Sequence, residues 1–188
     1  MKYLCPIFLL IFSYTLQSQI PCQIAIDKYN EGKFEEAIEE FLNCIESNPL
    51  DNSWDDTANY GDTYFNLSLA YYKASPGKSW YLSDAIWHLF KGAKLKPYNR
   101  VGEELTMTCE YHHYAGLYYL RYSEIGTDRS KFSFDKANEH LNDAINLNKL
   151  DLTFTWTDED PEKSFKVNLS NCSNNLLSTT YSLLEEME

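Results

Sequence analysis

Apolar residues recur at helical spacing in successive blocks along this chain, and the blocks fall into pairs. From Ile24 to Tyr29 the pattern predicts one helix. Asn30-Glu31-Gly32 reads as a turn, with Gly32 free to take a positive φ. Phe34, Ala37, Ile38, Phe41, Leu42 and Ile45 then repeat on one side, with Glu35, Glu36, Glu39 and Glu40 opposite. That alternation predicts an amphipathic helix. Pro49 ends it, because the residue before a proline avoids the α region.

A second block runs from about Asp62 to Pro97. Tyr64, Leu67, Ser68 and Tyr71 form one stripe, and a loop covers Ala74 to Ser79. Ala85, Ile86, Leu89, Phe90 and Ala93 then mark a partner helix. A third block runs from about Glu104 to Lys149. Tyr111, Tyr114, Ala115 and Tyr118 mark its first helix, and a polar connection spans Ile125 to Phe132. Asp135 is placed to cap the second helix, whose stripe is Ala137, Leu141, Ala144 and Ile145. Asp151 to Glu162, rich in Thr and Asp, reads as a loop. A last amphipathic helix is predicted over about Ser164 to Glu186, with Leu169, Cys172, Leu176, Leu177, Thr180, Tyr181 and Leu184 on one face. A stacked array needs such a helix to cover its last unit. The expected fold is therefore all-α, a solenoid of three antiparallel helix pairs (22–49, 62–97, 104–149) with a C-terminal cap at 164–186.

Each pair carries a small residue in its first helix, a small residue in its second and a large residue four positions later. These are Ala25, Ala37 and Phe41, then Ser68, Ala85 and Leu89, then Ala115, Ala137 and Leu141. Pro49 and Pro97 close the first two units, and Lys149 stands in that place in the third. Two helices approach closely only where side chains are small, and the large residue fills the space beside the contact. Over about Ile24 to Lys149 this pattern resembles the tetratricopeptide repeat family, whose units pair two helices in about 34 residues. The first unit follows the family closely, whereas the other two carry longer connections between their helices.

Members of that family bind peptides or protein segments in a groove lined by the first helices. Carried onto this chain, the groove draws on Phe65, Leu69 and Tyr72 of the second unit and on His112, Gly116 and Tyr119 of the third. Some members grip a peptide's terminal carboxylate with polar residues. The matching positions here are Cys22 and Ile26, which cannot do so. The resemblance thus implies a protein-interaction module or scaffold with an aromatic groove. The alternative is a carbohydrate- or small-ligand-binding protein, for which Trp54, Trp80, Trp87 and Trp156 are the candidates.

The N-terminus adds a location. Met1-Lys2 is basic, Leu4 to Phe12 is apolar and Ser13 to Gln19 is small and polar, the order of a secretory signal peptide. The apolar run is far shorter than the roughly 20 residues of a membrane span. Residues 1–19 are expected to be removed, leaving 20–188 as one exported domain, periplasmic or extracellular. The segment resembles the signals of Gram-negative bacteria. The formal charge of −12 argues against nucleic acid and acidic lipid surfaces as partners.

Beyond Cys5 of the signal, four cysteines remain, and they allow three pairings. Antiparallel pairing brings Cys22, at the start of one helix, to Cys44, near the end of its partner. That bridge is the favoured one, with Cys109 and Cys172 a second candidate pair. Cys109-Glu110-Tyr111-His112-His113 is the stretch that hints at metal chemistry. Adjacent helical residues point about 100° apart, so these histidines do not converge on one ion, and His88 and His140 stand apart in sequence. They are expected to be ordinary helix surface. No metal, cofactor or catalytic residue is expected, since no phosphate loop or nucleophile motif is present.

Overall fold

The computed structural model describes residues 22–48, 54–76, 78–95, 108–125, 130–150, 153–157, 164–168 and 172–188. The expected signal peptide, Pro49 and Pro97 lie outside these residues. The chain forms helices α1 (Gln23–Asn30), α2 (Phe34–Ser47), α3 (Trp54–Ala74), α4 (Ser79–Leu95), α5 (Cys109–Ser123) and α6 (Ser130–Lys149). A hairpin of β1 (Thr153–Thr157) and β2 (Ser164–Asn168) follows, and then α7 (Asn174–Glu185). Among the described residues no helix is long and apolar enough to cross a membrane.

The helices pack as an all-α repeat. α1 pairs with α2, α3 with α4 and α5 with α6, and each pair meets the next through α2–α3 and α4–α5. The small-and-large positions account for this. Ala25, Ala37, Ser68, Ala85, Ala115 and Ala137 are all buried, and so are Phe41, Leu89 and Leu141 beside them. The first turn between helices uses Gly32 at φ 76°, a conformation that favours glycine. Glu35 and Glu36 occupy the first turn of α2, where negative charge suits the helix dipole. Thr108 caps α5 by accepting from the Tyr111 N–H, and Ser173 caps α7 by accepting from the Leu176 N–H.

Three sequence-based boundaries change. α3 starts at Trp54, ahead of the expected Asp62. α6 starts at Ser130, so Asp135 lies inside the helix rather than at its cap, and Ser133 two residues earlier is already buried. The cap expected over Ser164 to Glu186 divides in two. Its first five residues pair with Thr153–Thr157 as an antiparallel ladder, Thr153 opposite Asn168 and Thr157 opposite Ser164. Thr-Phe-Thr-Trp-Thr and Ser-Phe-Lys-Val-Asn alternate with period two, which suits strands. The helix proper is α7, which buries Thr180 and Leu183, while Tyr181 stays half exposed. Leu169 lies outside the described residues, and Cys172 precedes α7.

Cys22 and Cys44 lie at disulfide-bonding distance with Cα atoms 5.5 Å apart, and Cys109 and Cys172 do likewise, also at 5.5 Å. The first pair joins the outer ends of α1 and α2. The second ties the start of α5 to the segment just before α7. Cys22 holds a left-handed φ of 66° at the start of α1, which a non-glycine residue adopts only when its surroundings enforce it.

Candidate functional site

Three side-chain assemblies stand out, and the predicted groove residues divide between two of them. The first lies between α3 and α5. The Phe65 ring sits 5.0 Å from Tyr111 and 5.3 Å from Tyr114, and Tyr72 stacks at 4.9 Å on Tyr118. Leu69 is half-buried against the same core. The Tyr111 hydroxyl donates to the Gly61 carbonyl at 3.4 Å. Long aromatic side chains thus bridge the two first helices. Beyond Tyr72 this face ends in an open cavity of about 580 Å³, lined among others by Lys73, Lys78, Arg121 and Glu124. Arg121 pairs with Glu124 at 2.6 Å, and Lys78 reaches Glu35 of α2 at 3.0 Å.

His112, Gly116 and Tyr119 are not part of that face. On α5 the residues turned to α3 are Tyr111, Tyr114 and Tyr118, so 112, 116 and 119 turn toward α6 and α4. Gly116 is buried where the helices cross, and a Cβ there would lie 2.5 Å from Leu141 Cγ. Tyr119 lies parallel to His140 of α6 with ring centroids 5.8 Å apart. Phe90 of α4 completes a three-ring cluster, 5.7 Å from His140 and 6.4 Å from Tyr119.

That second assembly holds the metal-ligand geometry. His112 Nδ1 lies 3.1 Å from His140 Nδ1 and 3.7 Å from Asp143 Oδ2. All three ligand atoms fall within 4.8 Å of one another. Burial lowers both histidines from 6.5 to about 4, so both rings are neutral near pH 7. Burial raises the Asp143 carboxyl. The adjacent histidines do diverge, since His113 points to α7 and meets Thr180 Oγ1 at 2.7 Å. The expectation that His140 stands alone is corrected, and so is the expectation of ordinary helix surface, because His113 and His140 are buried. One signal was present in the sequence: His140 and Asp143 are three residues apart, one turn along the same face of a helix.

The third assembly is the outer face of α4. Trp80 and Trp87 are 60% and 56% exposed, and they stand seven residues, or two turns, apart. Lys91 Nζ lies 4.7 Å from the Trp87 ring and 4.4 Å from the Tyr64 ring. A shallow cavity of about 450 Å³ beside Trp87 is lined by Ile86, Phe90 and Lys94. The side chains of Trp54 and Trp156 lie outside the description.

No family model, curated protein or solved structure matches this chain.

Proposed function

We propose that this chain is an exported, tetratricopeptide-like interaction module that binds an extended peptide segment of a partner protein, and that it acts by binding rather than catalysis. The observation that carries this is the open cavity at Tyr72, where Lys73, Lys78 and Arg121 outnumber the lining acid Glu124 on a chain of net charge −12. An acidic ligand there competes with Glu35 and Glu124, which pair with Lys78 and Arg121. The half-buried aromatic face of Phe65, Leu69 and Tyr72 leads into it. Such a surface suits a segment with apolar side chains followed by an acidic group, because rim cations steer and orient a charged partner. Export is supported by the order of residues 1–19 and by two cysteine pairs at bonding distance, since disulfides persist in oxidising compartments.

Selection from a random peptide library tests the proposal. Enriched peptides should combine apolar and acidic residues. Their affinity should fall by more than about tenfold when Lys73→Glu and Arg121→Glu are combined. An unselective library, or peptides indifferent to that charge reversal, would count against it. A second binding mode has its own observation, the exposed Trp80 and Trp87, whose faces suit sugar rings. Tryptophan fluorescence that responds to glycans, and loses the response in Trp80→Ala and Trp87→Ala, would favour that mode instead.

A further inference from the structure

We propose that His112, His140 and Asp143 form a binding site for one divalent transition-metal ion of the Zn²⁺ class, held between α5 and α6. The site is independent of the peptide-binding face. Zinc bonds of about 2.0–2.1 Å in tetrahedral geometry set neighbouring ligand atoms about 3.3 Å apart. The separations here, 3.1 Å between the two Nδ1 atoms and 3.7 Å from His112 Nδ1 to Asp143 Oδ2, lie on either side of that value. The third separation, between the His140 and Asp143 ligand atoms, is bounded at 4.8 Å, so the half-exposed Asp143 side chain must swing inward to close the set around an ion.

The donor set chooses the ion. Two imidazole nitrogens and one carboxylate oxygen suit Zn²⁺, Ni²⁺ or Cu²⁺, whereas Ca²⁺ and Mg²⁺ take oxygen ligands. Three protein ligands leave a fourth position for water, on the side where the Asp143 side chain is 45% exposed.

The ring chemistry agrees. Two neutral imidazoles with Nδ1 atoms 3.1 Å apart must share one proton, one ring donating and the other accepting. A bound cation replaces that arrangement. The donating ring shifts its proton to Nε2, both Nδ1 lone pairs then face the ion, and neither ring changes its net charge. His140 is held for this role in a three-ring cluster with Tyr119 and Phe90 and is only 8% exposed. The nearby charges are one acid and one base, Glu139 and Lys136, so they neither oppose nor replace the metal. The ion would clamp α5 to α6, the pair that encloses the longest connection within a unit.

The test uses untagged protein with its disulfides intact, stripped by a chelator and titrated with Zn²⁺ in a calorimeter. One equivalent should bind. Co²⁺ in its place should give the visible absorption of a low-coordinate site. His112→Gln and His140→Gln should abolish binding. Asp143→Asn should weaken it by more than about tenfold, since even an outer partner of a metal ligand is worth that much. Asp143 is half exposed, so its variant keeps the test decisive should either histidine variant fail to fold. The absence of stoichiometric Zn²⁺ binding, or binding undiminished by all three substitutions, would overturn the proposal.

Discussion

Gly92 of α4 lies so close to Gly61 of α3 that a Cβ on Gly92 would sit 2.8 Å from the Gly61 carbonyl oxygen. The same Cβ would meet the Phe65 backbone nitrogen at 3.2 Å. Backbone cannot step aside as a side-chain tip can, so Gly92→Ala must push the two helices apart. We predict a loss of about 1–3 kcal/mol, the usual cost of overpacking. Urea unfolding measures it directly, and a variant as stable as the parent would refute the close crossing. Ala93 beside it is fully buried, so the displacement would also loosen packing in the core.

The two cysteine pairs should contribute unequally. The Cys22–Cys44 bridge has a sequence separation of 22 and the Cys109–Cys172 bridge one of 63. Loop entropy assigns about 3 kcal/mol to the first and about 4 kcal/mol to the second. Replacing Cys22 and Cys44 by serine should release α1, the shorter helix of its pair. Replacing Cys109 and Cys172 should cost more and expose the stretch before α7 to protease. Equal stability in both double variants and the parent would show that neither bridge forms.

The paired-helix fold was legible because its signal is local. Ala25, Ala37 and Phe41 specify a close crossing by size alone, and so do the equivalent residues of the other units. The hairpin was missed because Thr153–Thr157 has the polar composition of a loop, although its alternation is that of a strand. The aromatic contact between α3 and α5 was half legible. On α3, Phe65, Leu69 and Tyr72 were placed on the face turned to α5. On α5 the sequence Tyr111-His112-His113-Tyr114 puts large rings on every side, so no stripe tells which of them meets α3. The His112–His140 contact was not legible at all. It depends on the register of α5 against α6, which is set by the close crossing at Gly116 and Leu141, far apart in the chain.

Acid should destabilise the fold partly through His88. The ring lies between Tyr71 and Tyr64, stacked at 5.2 and 5.7 Å, and its buried Nδ1 has no hydrogen-bond partner among the described residues. Burial, and then the nearby Lys91, depress its pKa from 6.5 to about 4. The sign follows from linkage. Below pH 6.5 the unfolded chain takes up a proton that the folded chain refuses until about pH 4. Stability is therefore full above pH 6.5 and falls as the pH drops from 6.5 toward 4. The depression corresponds to at most roughly 3 kcal/mol, and water reaching the ring edge lowers that figure. His88→Phe keeps the stacking and removes both the orphan nitrogen and the titration. It should match or exceed the parent's stability at pH 7.5 and lose less on moving to pH 4.5. Identical pH profiles for the two proteins would refute this role.

Tyr118 couples the second helix pair to the third. Its side chain is fully buried on α5, stacked on Tyr72 of α3, with the hydroxyl 3.4 Å from Ser68 Oγ. Ser68 already donates its proton to the Phe65 carbonyl at 2.6 Å, so Tyr118 is the donor in the pair. Removing only the hydroxyl in Tyr118→Phe deprives Ser68 of one accepted bond and leaves its donated one, which should cost about 1 kcal/mol. Removing the ring in Tyr118→Ala should cost about 3–5 kcal/mol. Because the ring spans two units, the larger loss should also be uneven. Hydrogen exchange of Tyr118→Ala should quicken in α5 and α6 while α1 and α2, held by their own crossing at Ala25 and Ala37, keep their protection. Uniform loss of protection from α1 to α6 would instead mean that the units unfold as one, and Tyr118 would be an ordinary core residue rather than a joint between units.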